Sequence, residues 1–351
     1  MKRRIAFLLF FCVIIWLLSN YPLIVENYYS NKFFPAIASP IRLFTRFIPF
    51  SIGDLLYLFV VLLILFSVIN LFFRLFRYGF SSLNYKAGFL NSLNIIFWVY
   101  LIFNVLWGLN YNRMGVAYQL KLNAEPVSKS DLIQLNNILL QRVNFERNNV
   151  SHSNIPFMQT KTWAVDAYKI VSKKYPFLEY KNADLKSSMW GWLGNYTGFT
   201  GYYNPFSGEA QVNTNVPSFL QPYIACHEIA HQLGYAKENE ANFVGFLAAE
   251  VSNIPEVKYS AYLDLFSYAN RSLYFLDSSS AIQFRNKLSL PVINDINVWR
   301  DFNRRHQNPV EPVIRWLYGK FLLSNNQPAG IYSYDRVIIY LVAYYKQKGL
   351  I

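Results

Sequence analysis

Three long uncharged runs, all within the first 113 residues, constrain this chain more than any other feature. After the basic start Lys2-Arg3-Arg4, residues 5–19 are almost entirely apolar, and the sequence stays uncharged to position 25. A second run covers 55–73 and is closed by Arg74 and Arg77; a third covers 87–112, between Lys86 and Arg113. About 20 apolar residues in a helix cross the hydrocarbon core of a bilayer. Helices buried in a soluble core usually carry a polar stripe, and these runs show none. The expectation is a membrane domain over 1–113 with three transmembrane helices, at about 5–25, 53–75 and 87–109. No small-x-small cleavage site follows the first run, which therefore reads as an uncleaved anchor.

Charge supports the same reading. Lys and Arg total 33 against 20 Asp and Glu, a formal net charge of +13. Such an excess would suit a nucleic-acid partner if it formed a patch. Here the basic residues of the first 113 punctuate the apolar runs, as flanks of membrane segments do, so the partner implied is the lipid bilayer and no nucleic acid. Lys2, Arg3, Arg4, Arg74, Arg77 and Lys86 lie on one side of the expected spans, and Lys32, Arg42 and Arg46 on the other. The positive-inside rule then puts the amino terminus in the cytoplasm and everything beyond residue 113 on the outer face. The loop over 20–50, rich in Tyr, Phe and Pro, is expected to lie in the membrane interface. The spans lack interior charges that would mark an ion path. Two cysteines, Cys12 and Cys226, imply no disulfide framework.

Residues 114–351 show no repeat or low-complexity tract and are long enough for one domain with a full core. Helical spacing is expected over 130–147, 162–174, 218–251 and 258–276, with a closing amphipathic helix over 334–348. The Gly- and Tyr-rich stretch 191–208 reads as a loop or hairpin, and 209–216 as a short strand. The strand either pairs with an extended peptide substrate or lies inside the sheet. The fold class is a mainly α membrane protein whose large domain is mainly helical with a small β-sheet.

The chemistry-bearing segment is Cys226-His227-Glu228-Ile229-Ala230-His231-Gln232-Leu233-Gly234, which contains HExxH. On a helix, positions i and i+4 share a face, so His227 and His231 can present two imidazoles to one zinc ion. Glu228 falls about 100° around the helix, where it can reach a water and act as general base. Ser218 is placed to cap the helix start, and Gly234 suits the left-handed residue after its end. A catalytic zinc takes three protein ligands and leaves one position open. Glu238 and Glu240 both follow closely. Candidates for an electrophile that stabilises the oxyanion are Tyr202, Tyr203, His306 and Tyr334.

The run Glu238-Asn239-Glu240-Ala241-Asn242 resembles the E-x-x-A-D or E-x-x-A-N helix of the gluzincin metallopeptidases. The resemblance implies Glu238 as the third ligand and Asn242 as the residue that orients a ligand histidine; Glu240 is the competitor. The metzincin pattern H-E-x-x-H-x-x-G-x-x-H matches at Gly234 but fails at Lys237, which cannot ligate. Taken with the spans and the aromatic Gly-rich stretch, HEIAH and ENEANF are similar to the bacterial membrane-protein domain-of-unknown-function 3810 family. That resemblance implies a zincin-like domain over 114–351, held outside the bacterial inner membrane. The expected function is a membrane-anchored zinc metallopeptidase acting on protein or peptide substrates, with Zn2+ as cofactor, His227, His231 and Glu238 as ligands and Glu228 as base. The alternatives are a zinc hydrolase of non-peptide amides or esters, and a non-catalytic scaffold with a vestigial metal site. Iron, manganese or cobalt would also suit the ligand types.

Overall fold

The computed structural model describes residues 2–80, 84–151 and 154–351, without the side chains of Ile331 and Tyr334. Among these residues two helices are long and apolar enough to cross a membrane, Ile52–Tyr78 and Tyr85–Leu106. Local chemistry sets their ends. The Ser51 side chain accepts from Asp54 N at the first start, and Asn84 from Ala87 N at the second. Gly79, at φ +66°, ends the first helix.

The expected first span is where sequence and structure part. Helix Lys2–Ser19 does not run on to residue 25; it bends by 95° into Pro22–Thr45, so the described residues hold two candidate spans, or three if the bent pair counts as one. Pro22 restarts the helix where a missing N–H costs nothing. A π-helical stretch, Val25–Phe33, leads into helix Phe34–Thr45. This segment is helical and not a loop. Glu26, Ser30, Phe34, Ala38, Arg42 and Thr45 form a buried stripe at near-regular spacing. The polar members of that stripe find partners: Glu26 pairs with Arg113, Ser30 donates to Asn110, and Thr45 donates to Asp184. Arg42 donates to the Gln232 carbonyl.

Beyond residue 113 the chain is mainly helical around a small sheet. Lys129–Asn149 begins with a capping box between Ser128 and Asp131 and packs on Pro255–Leu276. The sheet has the order β1 (Leu185–Ser187), β3 (Glu209–Val212), β2 (Gly201–Asn204). β1 runs parallel to β3, with Leu185 beside Ala210; β2 runs antiparallel to it, with Tyr203 beside the same residue. The strand expected near 209–216 is therefore internal, and β1 and β2 are the edge strands among the described residues. The stretch before β2 holds a short helix, Gly191–Thr197, within what sequence reads as a loop.

Helix Gln221–Gln232 runs beneath the sheet, packed against Phe157–Lys174 and Glu238–Glu250. Leu135, Tyr168, Ile229, Phe243 and Phe246 form the centre of the core around it. A Cβ on Gly245 would stand 3.1 Å from His227 N, so glycine lets the two site helices approach. The closing helix Val337–Gln347 buries Val337, Leu341 and Tyr344 in the same core. A second apolar cluster joins Leu8, Cys12, Phe34, Leu101 and Trp107 of the first 113 residues to Ala236, in the turn between the site helices.

Candidate metal centre

The helix that carries HExxH starts without a side-chain cap. Leu220 precedes it, after a tight turn over Ser218–Leu220, and Pro222 occupies the first turn in place of the Ser218 cap that sequence suggests. It ends as expected. Gly234 is left-handed at φ +84°, and Tyr235 N donates to the Ala230 carbonyl at 3.1 Å. That turn sends the chain back as helix Glu238–Glu250, whose first residue faces the two histidines.

The His227 and His231 rings lie 4.7 Å apart, as i and i+4 spacing requires. Glu238 Oε2 stands 3.3 Å from His227 Nε2 and 3.5 Å from His231 Nε2. One ligand atom from each of the three lies within 4.8 Å of the others, and all three residues are buried. The remaining ring nitrogens are committed elsewhere. His227 Nδ1 is 2.7 Å from Asn242 Oδ1, and His231 Nδ1 is 2.8 Å from the Tyr235 carbonyl. Both partners are oxygen acceptors, so each Nδ1 carries a proton and the two Nε2 atoms converge on Glu238, with their lone pairs free in the neutral imidazoles.

The electrostatics suit a cation. Burial opposes charge on His231, but the Glu238 carboxylate outweighs it and raises the imidazole to about 9. Burial likewise opposes charge on Glu238, yet His231 and His227 hold its carboxyl well below the usual range. Glu228 Oε2, buried beside the cluster, has no hydrogen-bond partner among the described residues, and Glu238 Oε2 faces only the two imidazole Nε2 atoms. A buried carboxylate with an unmet oxygen is costly unless a cation satisfies it. Two imidazoles and a carboxylate are also the three-ligand set of an open catalytic zinc site. The residues present fit a divalent ion. Burial pushes Glu228, on the adjacent face, up to about 7 although both histidines pull it down.

A second layer of side chains fixes the cluster. Tyr318 donates to Glu238 Oε1 at 2.7 Å, turning Oε2 inward, and Gln327 Oε1 accepts from Glu238 N at 3.0 Å. Tyr223 donates to the Asn242 carbonyl, and Tyr168 to that of Cys226. Removing such a support lowers metal affinity by roughly 10–100-fold in metalloenzymes. Tyr318→Phe is therefore expected to weaken metal binding by about that factor, beside a stability cost of roughly 1–3 kcal/mol for the buried acceptor it leaves unmet, as competition with a chromophoric chelator and thermal unfolding of the apo chain would measure. An unchanged affinity would remove Tyr318 from the support of the site.

Glu240 stands apart from the cluster. A Cβ on Gly115 would meet its Oε1, and Lys237 Nζ lies 3.9 Å away, so it faces the opposite side of its helix. Cys226 is fully buried, with its thiol pushed up to about 12, which suits packing and not ligation. Of the candidate electrophiles, Tyr202 and Tyr203 line the cavity that holds His227 and Glu228. His306 packs on Phe302 and Tyr196 away from it, and the Tyr334 side chain lies outside the described residues. The cavity measures about 290 Å³. Tyr57, Phe103, Trp107 and Tyr111 also line it, all from the first 113 residues and none singled out by sequence. Trp107 Nε1 lies 3.4 Å from the His231 carbonyl, which ties the end of a membrane helix to the site helix.

No curated protein and no solved structure matches this chain. A family described as "Protein of unknown function (DUF3810)" matches residues 29–342, a span that takes in the histidines, Glu228, Glu238 and the aromatic walls alike. Over most of its length, then, the chain belongs to the DUF3810 family.

Proposed function

We propose that this chain is a membrane-anchored, zinc-dependent hydrolase of protein or peptide substrates, with a gluzincin-like site. The observation that carries the reading is the buried cluster of His227, His231 and Glu238, with both Nδ1 atoms held by oxygen acceptors and Glu228 beside it. Bound zinc supplies a Lewis acid that acidifies water and polarises a carbonyl. Glu228 takes the proton of the attacking water and delivers it to the leaving amine. A carboxyl lifted toward neutrality by burial is suited to both transfers. Tyr202 and Tyr203 are the candidates for binding the developing oxyanion, and β2, an edge strand that lines the cavity, offers main-chain groups to an extended substrate.

The spans hold the site at a bilayer surface. Ile52 starts its helix beside Glu209 of the sheet, and Leu106 ends its helix beside the site, so Arg74, Arg77 and Lys86 lie toward the far side. That distribution supports a domain on the outer face of the cytoplasmic membrane.

Elemental analysis of the purified full chain tests the reading. The native protein should hold about one zinc ion, His227→Ala and Glu238→Gln should lose it, and Glu240→Gln should keep it. Absence of metal from the folded native chain after incubation with zinc would sink the hydrolase and favour a scaffold.

A further inference from the structure

The cavity at the site reaches down between the membrane helices. Ile52 and Gly53 donate to Glu209, and Trp107 lies at the His231 carbonyl, so Ile52–Tyr78 begins and Tyr85–Leu106 ends on the domain side of the bilayer. Tyr57 lies about 8 Å into the first helix and Phe103 about 5 Å from the end of the second, at 1.5 Å per residue. Both line the cavity that holds Glu228. The cavity thus holds the polar cluster and takes part of its wall from the two candidate spans.

Those spans do not close over it. No residue in the apolar stretch of Ile52–Tyr78 is buried, so no neighbouring span covers that helix among the described residues. The third wall has the same character. Tyr318 and Phe321, of helix Glu311–Ser324, line the cavity, and the Phe321 ring lies 6.3 Å from that of Phe103. The same helix exposes Val313, Trp316, Leu317 and Leu323, with Lys320 over the Trp316 ring. Exposed apolar side chains beside a span, with Trp and Lys among them, are the marks of a helix lying in the membrane interface. The walls drawn from Ile52–Tyr78 and Glu311–Ser324 thus belong to helices whose outer faces are exposed and apolar.

We infer that the site receives its substrate from the bilayer: a polypeptide held in the membrane by an apolar segment, entering between Ile52–Tyr78 and Tyr85–Leu106 and presenting its scissile bond at the membrane surface. This substrate class rests on the hydrolase reading above. An apolar segment matches the aromatic walls, and the bond next to it falls at the depth of the cluster.

Two measurements on the full chain in vesicles test this. In the first, an environment-sensitive fluorophore is placed on Phe206→Cys in the cavity wall, with the native chain and its buried Cys12 and Cys226 as the labelling blank. Brominated lipids should quench the label strongly and aqueous iodide weakly; the reverse overturns a side entrance. In the second, zinc-loaded protein is given an unstructured polypeptide, either free or joined to an apolar transmembrane helix through a flexible linker of about 40 residues. Cuts confined to residues next to the apolar helix, and absent with Glu228→Gln, support the inference. Cuts spread along the linker, or equal cutting of the free polypeptide, overturn the inference and leave the hydrolase standing. No cut in either polypeptide, or release of fatty acid from the vesicle lipid instead, overturns the peptidase and this substrate class with it.

Discussion

Glu228→Gln is expected to keep its metal and lose its reaction. The two side chains are nearly the same size, and Glu228 is not among the three groups that converge on the metal position. What changes is proton transfer: an amide can neither take the proton of the attacking water nor return it to the leaving group. Acid–base groups contribute roughly 10²–10⁴-fold to turnover, and the loss should lie toward the upper end because one residue serves both transfers. The check is turnover of a peptide substrate alongside elemental analysis of the same preparation. Full turnover with glutamine would remove Glu228 from the chemistry.

Arg113→Met should destabilise the chain by about 3–5 kcal/mol, because it leaves a buried carboxylate without its countercharge. Arg113 meets Glu26 through Nε at 2.9 Å and Nη2 at 2.7 Å, and both side chains are 2% exposed. Its Nη1 donates to the Gly234 carbonyl, and its guanidinium lies over the Tyr235 ring. The ion pair thus pins the bent amino-terminal segment to the turn between the histidines and Glu238. Denaturant titration in detergent would measure the loss, and the double variant Glu26→Gln/Arg113→Met should recover part of it by removing the orphaned charge. A change under about 1 kcal/mol for the single variant would show that the pair is not holding the segment.

The metal-site helix was legible because its chemistry is local. HExxH spans five residues, and Glu238 with Asn242 repeats the same one-turn spacing on the next helix. The support around it comes from far away in the chain and has no local pattern. Tyr318 sits 80 residues from the Glu238 it orients, among 27 tyrosines that sequence cannot rank. The helical form of the bent segment is hidden in the sequence for a physical reason. Glu26, Ser30, Arg42 and Thr45 look like a solvated face, and they become a buried one because each meets a polar partner that only the fold supplies. The first span was overextended because hydropathy registers apolar length but not a turn at Asn20 and Tyr21. The closing helix was readable, since its apolar spacing and polar residues together excluded a membrane crossing.

Glu209 carries a consequence for how the protein is made. Its carboxylate receives Ile52 N at 3.0 Å and Gly53 N at 2.6 Å, the otherwise unmatched donors at the start of a membrane helix, while Lys186 neutralises it from β1. A ribosome delivers residue 52 to the membrane long before residue 209 exists. Through that interval the helix start must rely on water or lipid headgroups for those bonds. The sheet then takes them over as its central strand is laid down, so the last step in seating the membrane helix waits for translation of the domain that follows it.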